Sequence, residues 1–332
     1  MNARGFTLVE WLIAMLIGVF LVGGGLSVFV ASRATTEDAF DQSELLENGR
    51  IAMRLITQDL RWAGFWGDYT GSPMATGQGV TLLGGITSTC GSLPSNTGAR
   101  ALLVMRVNDS GGLTGGDASC IPTDSSKWSF IKNTDVISIK RLVGRPQTID
   151  SELDGNRYYL ATTTQLANLF AMVDESDPIP SEVIEMPDPQ LWEYQHFMYY
   201  TVLNKSNNIP ELRKRILTPN GGSLLISGPI AEGIQGLTVL LGIDESSIPD
   251  GVIERYTNTN NVTEQEWSEG RVVAARIFIL VRSLQASGSY VNNNVYQVGD
   301  VPFFGNGDGY RRLLLESSVS LRNPTVIAGG GK

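Results

Sequence analysis

The sequence predicts an α+β fold, in which a long N-terminal helix packs on an antiparallel β-sheet that carries large loop insertions. Three observations predict it. Residues 6–32 carry a single charged side chain; apolar residues at helical spacing follow; and short β-rich runs separated by Gly, Asn, Ser and Pro fill the rest of the 332 residues. These changes in character divide the chain into a short N-terminal segment 1–5, a hydrophobic helix 6–32, its amphipathic continuation 33–66 and a globular domain 67–332.

The apolar run 6–32 is long enough to cross a bilayer as a helix, and Glu10 is the one charge within it. Arg4 and the initiator amine precede the run, and this positive charge keeps the N-terminus cytoplasmic and sends the rest of the chain across the membrane. An ordinary secretory signal would be cut after the run, near 31–34. Such a signal has no reason to carry Glu10, because an unpaired carboxylate in a spanning segment is costly and therefore indicates a function.

The first ten residues match a known processing signal. Met1-Asn-Ala-Arg-Gly5 followed by Phe6-Thr-Leu-Val-Glu10 resembles the type IV prepilin signature, a short basic leader that ends in Gly, then Phe, then Glu at the fifth mature position. The resemblance implies that a prepilin peptidase cuts between Gly5 and Phe6 and methylates the new amine of Phe6. It also implies that Glu10 pairs with the N-terminal amine of a neighbouring subunit during filament assembly. The competing interpretation, a signal anchor with an accidental Glu, gives no reason for Gly before Phe.

Beyond residue 33 the helical pattern continues and becomes amphipathic. Apolar or small residues recur at steps of three and four, which predicts a stripe that packs on the globular domain. These residues are Leu45, Gly49, Ala52, Ile56, Leu60 and Ala63, while Glu44, Glu47, Arg50, Arg54, Asp59 and Arg61 occupy other faces. A continuous helix from residue 6 to 64 would be about 90 Å long. The run Gly23-Gly24-Gly25 is compatible with a kink or with close packing of helices, and the sequence leaves both open.

The globular region contains eight segments with strand character. They are 101–107, 135–142, 157–161, 196–203, 212–217, 237–242, 272–282 and 313–321. Residues 272–281 are apolar except for Arg276, which predicts a central strand buried on both faces. Loops are predicted for 72–98, 108–128, 174–192 and 244–270.

Three C-terminal segments carry a second resemblance. Residues 233–244 (GIQGLTVLLGID), 273–283 (VAARIFILVRS) and 308–323 (DGYRR followed by a strand and Arg322-Asn323) are similar to segments of the PilW family of type IV pilus minor pilins. Residues 144–195 have no counterpart, and Leu241 stands where that family often has Tyr. The resemblance implies the pilin fold.

The same resemblance implies a structural function. A minor pilin of this kind primes pilus assembly and sits at or near the tip with other minor pilins, the major pilin and a tip adhesin. Its localisation would be the inner membrane, with the C-terminal domain in the periplasm, and then the pilus after assembly. Two alternatives are a pseudopilin of a type II secretion system and a membrane-anchored periplasmic enzyme or binding protein.

The two cysteines, Cys90 and Cys120, lie in Gly-, Ser- and Thr-rich surroundings. If the domain lies outside the cytoplasm, a disulfide between them is expected, and closing that loop would stabilise the fold by about 3–4 kcal/mol. Two unpaired thiols are the alternative.

The remaining residues do not form a catalytic pattern, and no catalytic residue, cofactor or metal is predicted. A net charge of −9 without a basic tract argues against direct binding of nucleic acid. The single histidine, His196, stands among aromatics and is expected to be packed or hydrogen-bonded. Asp300 and Asp308, with Asn306 between them, offer oxygen ligands, but their spacing is not that of a calcium-binding EF-hand. The Arg311-Arg312 pair is compatible with an internal salt bridge or an interaction site.

Overall fold

The computed structural model describes residues 7–70, 79–84, 100–114, 126–149, 152–219, 228–248, 250–288 and 290–323. The predicted processing residues Gly5 and Phe6 and the predicted disulfide residues Cys90 and Cys120 lie outside these ranges.

One helix, α1, runs without interruption from Leu8 to Trp62. Its 55 residues correspond to a length of about 83 Å. The helix passes straight through Gly23-Gly24-Gly25, where an added Cβ would meet no other atom within 4 Å. It ends where Ala63 leaves the helical conformation and Gly64 adopts a positive φ of 74°. The prediction of one long helix is therefore confirmed.

The predicted apolar stripe is the buried side of α1. Leu45, Ala52, Ile56, Leu60 and Ala63 are at most 4% exposed. Gly49 lies in the same row, where an added Cβ would clash with Leu315 Cδ1. Because the row recurs every three to four residues, a single face of the helix contacts the β-domain.

The rest of the described chain is mostly β-structure. Its strands are β1 (Val80–Leu82), β2 (Leu102–Val107), β3 (Leu113–Thr114), β4 (Trp128–Phe130), β5 (Asp135–Leu142), β6 (Arg157–Thr162), β7 (Ala167–Met172), β8 (Gln190–Asn204), β9 (Ile209–Ile216), β10 (Ala231–Glu232), β11 (Ile234–Ile243), β12 (Arg255–Thr257), β13 (Val272–Arg282), β14 (Val295–Val298), β15 (Val301–Phe304) and β16 (Arg312–Ser320). Short helices are α2 (Ser181–Ile184) and α3 (Glu264–Ser268), with a 3₁₀ turn at Thr259–Asn261.

Ten strands form the larger sheet, in which β8 is central. This strand pairs antiparallel with β4, β5, β6 and β9. The pair between β1 and β7 is parallel, whereas the other ladders of the sheet are antiparallel. The predicted α+β class is confirmed, with this one departure from a purely antiparallel sheet.

The smaller sheet has the order β12-β11-β13-β16. As predicted, β13 is an inner strand, and ten of its eleven residues are buried. A separate hairpin of β14 and β15 covers part of this sheet, where Val298 packs with Phe278 and Leu280. One large core lies between α1 and the facing sides of both main sheets.

Some predicted bounds were wrong. Strand β8 begins at residue 190 and not at 196, because its first residues pair with β6. The predicted loop 244–270 contains β12 and α3, and α3 begins with a capping box between Thr263 and Glu266. Within the predicted loop 174–192 lies α2. Segment 144–195, which has no counterpart in the family, contributes β6 and β7 to the ten-stranded sheet. These two strands are therefore part of the main sheet.

Candidate functional site

Glu10 lies in the first turn of α1, where it forms a capping box with Thr7. The carboxylate accepts hydrogen bonds of 2.9 Å from both the backbone N–H and the hydroxyl of Thr7. In return, the Glu10 N–H donates to Thr7 Oγ1 at 3.3 Å. The cap satisfies groups that a helix start otherwise leaves without partners. It also keeps the carboxylate beside the helix N-terminus and exposed.

The N-terminal half of α1 contacts no other element of the described chain through its apolar side chains. Trp11 is 60% exposed, Phe20 is 74% exposed and Val28 is 70% exposed. Among the described residues α1 is the one helix long and apolar enough to cross a membrane. So much exposed apolar surface requires cover, either from lipid or from other helices.

The C-terminal half of α1 is held to the ten-stranded sheet by a buried polar contact at Asp59. Its Oδ2 accepts a 2.5 Å hydrogen bond from the Tyr199 hydroxyl and one of 2.8 Å from Lys214 Nζ. Its Oδ1 accepts from Arg141 Nη2 at 3.2 Å. Burial, and then the neighbouring Asp59 carboxylate, raise the pKa of Tyr199 above its ordinary value. Two cations and a hydroxyl thus compensate one carboxylate that is largely removed from water.

The segments that flank β16 attach α1 to the smaller sheet at two levels. Before the strand, Arg311 Nη2 forms a 2.7 Å ion pair with Asp38. After the strand, the Asn323 amide donates to the carbonyl oxygen of Ala63, at 3.2 Å, where the helix ends. The two contacts bracket the helical stretch whose apolar face is buried, so they set its position along the strand.

The second arginine of the pair has a different partner. Arg312 donates to both carboxylate oxygens of Asp308, at 2.8 and 2.6 Å. These hydrogen bonds lower the pKa of Asp308. Both Arg311 and Arg312 therefore form internal ion pairs, which is the structural alternative that the sequence left open.

A network between the two sheets was missed by the sequence reasoning. Arg106 on β2 donates to Asp135 at 2.7 and 3.1 Å and to Asp300 at 2.6 and 2.9 Å. Asp135 also accepts from the backbone N–H of Val239 on β11, at 2.8 Å. This bidentate arrangement joins β2, β5, β11 and the β14–β15 turn. Because its members are far apart in the chain, local pattern carries no signal of it.

The carboxylates that offered oxygen ligands are engaged in these pairs. Asp300 binds Arg106 and Asp308 binds Arg312, which leaves each beside a cation rather than in a calcium-type loop. A different acidic group, Asp244, Asp250 and Glu254, brings its oxygens within 4.8 Å of one another. Asp244 already accepts three backbone N–H groups there, from residues 246, 250 and 251. Desolvation raises the pKa of Asp244, but the hydrogen bonds it accepts together outweigh that effect and lower the pKa below its ordinary value.

His196 is buried on the face of β8 opposite α1. Its Nε2 lies 2.8 Å from Ser138 Oγ, and its cross-strand neighbour is Lys140. Within the described part of the chain, Nδ1 has no hydrogen-bond partner. Burial lowers the pKa of His196 well below its ordinary value, and burial with the charge of Arg100 lowers that of Lys140 to about 7. The packed, hydrogen-bonded histidine that was predicted is confirmed, and at 2% exposure its ring is closed to a substrate.

Comparison with known proteins gives the same two regions that the motifs singled out. The family described as Type IV Pilus-assembly protein W matches residues 199–323, and the Prokaryotic N-terminal methylation motif matches residues 1–26. The chain is therefore similar to the PilW family over its C-terminal part and to N-methylated pilin-like proteins at its N-terminus. The PilW match contains strands β9 to β16 and most of the contacts that hold α1.

A curated relative supports the pilin-like assignment. The PilW-like chain is 38% identical, over 65 residues, to the Pilin-like protein PilA3 of Thermus thermophilus. That match covers 19% of this chain and 28% of the relative, so the chain spans little more than a quarter of that protein's length. No solved structure matches the chain.

Proposed function

We propose that this chain is a minor pilin of a type IV pilus that primes assembly and sits at or near the tip. The observation that carries the proposal is the presence, on one chain, of the prepilin methylation motif and a PilW-type region. The exposed apolar half of α1 supports it, since such a surface serves first as a membrane anchor and then as a filament core. Prepilin peptidase would cut between Gly5 and Phe6 and methylate Phe6.

Glu10 has a specific role in this proposal. Its carboxylate stands at the very start of α1, where it accepts hydrogen bonds from Thr7. Once the helix is surrounded by apolar side chains, an unpaired carboxylate becomes costly, and the charged amine of a neighbouring subunit's Phe6 would compensate it. We therefore assign Glu10 to filament assembly.

The size of the domain supports a tip position. Two main sheets and a covering hairpin make a domain far bulkier than the single helix to which it is attached. Such bulk is difficult to repeat along a shaft but is acceptable at an end, where surfaces remain available for other minor pilins, the major pilin and an adhesin. Before assembly the domain would lie in the periplasm, anchored in the inner membrane, where Cys90 and Cys120 would form a disulfide.

The test is mass spectrometry of the mature N-terminus, purified from the native host. We expect a chain that begins with N-methyl-Phe6. An intact Met1, or cleavage near 31–34, would contradict the pilin assignment itself.

A deletion strain separates the two classes of filament. Loss of surface pili and twitching with normal exoprotein secretion is expected for a minor pilin. Loss of secretion with normal pili would instead indicate a pseudopilin, and no change in either would favour a membrane-anchored binding protein or enzyme.

The role of Glu10 has its own experiment. Glu10→Ala is expected to leave processing at Gly5 intact but to remove the chain from sheared pili. Glu175→Ala is the matched control, because it deletes the same charge from an exposed loop of the β-domain. Normal incorporation of the Glu10 variant would refute the pairing role.

A further inference from the structure

Strand β16 is an open edge of the smaller sheet. It is nine residues long, and within the described chain it pairs with β13 alone. The strands that end the two main sheets elsewhere, β1, β3 and β12, are two or three residues long. Proteins shorten, bend or cover the edges of their sheets, because free backbone groups there pair readily with a strand of another chain. Strand β16 contains no proline and pairs with β13 without a bulge, so it is neither shortened nor bent.

The ladder with β13 shows which backbone groups of β16 face outward. The Leu321 N–H donates to the carbonyl oxygen of Val273 at 2.8 Å, and the Ser283 N–H donates to that of Arg311 at 2.9 Å. In an antiparallel ladder every second residue bonds to the partner strand, so the residues in between direct their N–H and C=O groups away from β13. These outward residues include Leu314, Glu316, Ser318 and Ser320. Within the described part of the chain, their outward backbone groups have no hydrogen-bond partner.

A groove lies beside this edge, between β16 and the flank of α1. It has two parts, with volumes of about 930 and 520 Å³, and Trp62 lines both. The Trp62 side chain is 44% exposed, and Ile51 and Leu315 contribute further apolar surface to the larger part. An incoming strand would therefore find free backbone groups on β16 and, next to them, room for its alternate side chains. Those are the two requirements for recognising a peptide by adding it to a sheet edge.

The charge of the groove is basic toward its distal end, the end at which α1 stops. Two carboxylates line the larger part, but Glu316 is paired with Arg276 at 2.6 Å, and Glu47 lies at the end nearer the apolar segment of α1. The smaller, distal part has no carboxylate in its lining. The arginines that α1 contributes to the groove are Arg50, Arg54 and Arg61. The groove therefore favours an acidic ligand, although the chain itself has a net charge of −9.

The direction of β16 limits which strand pairs with it. Arg311, just before the strand, contacts Asp38, and Asn323, just after it, contacts Ala63 at the end of the helix. Strand β16 and α1 therefore run in the same direction. Antiparallel pairing of two copies through β16 would point their apolar helical segments in opposite directions, which two chains anchored in one membrane cannot do. Antiparallel pairing is the more stable kind, so a strand of another protein fits this edge better than a second copy.

We propose that the free edge of β16 binds an extended, acidic segment of a different protein, which adds to the smaller sheet as an antiparallel strand. The outward backbone groups of β16 would form the ladder with it. Its carboxylates on the side of α1 would meet the guanidinium groups of Arg54 and Arg61, and Trp62 would cover its apolar side chains. The inference rests on the proposed function in one respect, which is that the partner meets this domain outside the cytoplasm.

A synthetic peptide tests the chemistry of the edge. The probe is a fluorescein-labelled octapeptide that alternates valine and glutamate, and its binding to the full chain in detergent is followed by fluorescence anisotropy. We expect saturable binding that Ser318→Pro weakens about tenfold, because proline removes an outward N–H and places its ring at the edge. Ser318→Ala is the matched control, since it removes the same hydroxyl group but keeps the N–H. No binding to the unaltered chain, or equal binding to the two variants, would overturn the proposal.

Two modified probes separate the backbone and charge contributions. A peptide methylated on alternate backbone nitrogens cannot complete the ladder, and a peptide with lysine in place of glutamate would face the arginines with like charge. We expect each to bind about tenfold more weakly than the original probe. Binding of the methylated peptide with unchanged affinity would show that the edge is not used. Far-UV circular dichroism of Ser318→Pro and Ser318→Ala checks that both variants fold.

Photo-crosslinking in the native host tests the occupant. Benzoyl-phenylalanine replaces Gln58, an exposed residue that lines the groove, and the adduct is mapped by mass spectrometry. We expect an acidic segment of a different protein, and we expect the adduct to disappear in the chain that also carries Ser318→Pro. An adduct with a second copy of this chain, an adduct that persists in Ser318→Pro, or no adduct would overturn the proposal.

The outcomes separate this inference from the proposed function. The peptide measurements use the purified chain and depend neither on processing at Gly5 nor on pili. A mature chain that begins with N-methyl-Phe6 but does not bind the probe keeps the proposed function and overturns this inference alone. A chain that binds the probe through β16 but keeps Met1 overturns the proposed function and leaves the binding edge in place.

Discussion

Protonation of His196 should make the stability of this protein unusually sensitive to mild acid. The ring is buried, its pKa lies well below the ordinary 6.5, and desolvation is the main cause. In the unfolded chain the ring is in water and binds a proton near pH 6.5. The unfolded state therefore gains a proton that the native state excludes. Stability is complete above that pH and is lost as the pH falls below it.

The size of the effect follows from proton linkage. One proton bound only by the unfolded state changes the free energy of unfolding by at most about 1.4 kcal/mol per pH unit. Integrated from pH 7 to pH 5, this amounts to about 2 kcal/mol. His196 is the only histidine in the chain. Lys140, whose pKa is about 7, goes from half to fully protonated in the native state over this interval and adds only about 0.4 kcal/mol.

The assay is urea unfolding of the full chain in detergent, followed by tryptophan fluorescence at pH 5, 6, 7 and 8. In His196→Gln, whose amide can still bond Ser138, the loss between pH 7 and pH 5 should shrink from about 2 to below about 0.5 kcal/mol. The stability of that variant is expected to fall at every pH as well, so the informative quantity is the change in the free energy of unfolding with pH. Ser138→Ala keeps the histidine and should keep the slope. An equal loss in the unaltered protein and in His196→Gln would refute the reasoning.

Three further predictions concern the attachment of α1, measured by the same urea unfolding at pH 7.5. Ile56→Ala removes a fully buried side chain and should lower the free energy of unfolding by about 2–5 kcal/mol. Ile51→Ala, on the exposed side of the helix, should lower it by less than about 1 kcal/mol. Equal losses in the two variants would show that the buried face of α1 is misassigned. Asp59→Ala leaves two cations and a hydroxyl without their acceptor and should cost about 3 kcal/mol, so an unchanged midpoint would argue against that contact. Gly49→Val places a side chain against Leu315 and should lower the free energy of unfolding by about 1–3 kcal/mol. An unchanged stability would show that the helix does not pack against Leu315 at this position.

The helix and the central strands were determined by local pattern. The apolar run and the three-to-four residue spacing after it predict α1, and the structure places the stripe of Leu45 to Ala63 against the domain. Strands β5 and β13 have the bounds that the sequence predicts. These elements share one property, which is that their own residues repeat with the period of the structure they form.

Elements whose stability comes from their neighbours were missed. Strand β7 has the sequence ANLFAM, in which Ala and Asn disfavour strands, and it forms because β6 and β1 pair with it. The first residues of β8 are strand for the same reason. Propensity is a weak guide where a ladder on each side supplies the hydrogen bonds.

Among the candidate site residues, the sequence by itself suggests those that belong to a linear motif. Gly5, Phe6 and Glu10 are recognisable because they lie within ten consecutive residues that match the methylation motif, and the acid is informative because its surroundings are apolar. Only the tertiary structure decided the roles of the other charges. Asp300 pairs with Arg106, 194 residues away, and Arg311 with Asp38, 273 residues away. Which carboxylate compensates which arginine depends on strand order and helix placement, and that information exists only once the chain has folded.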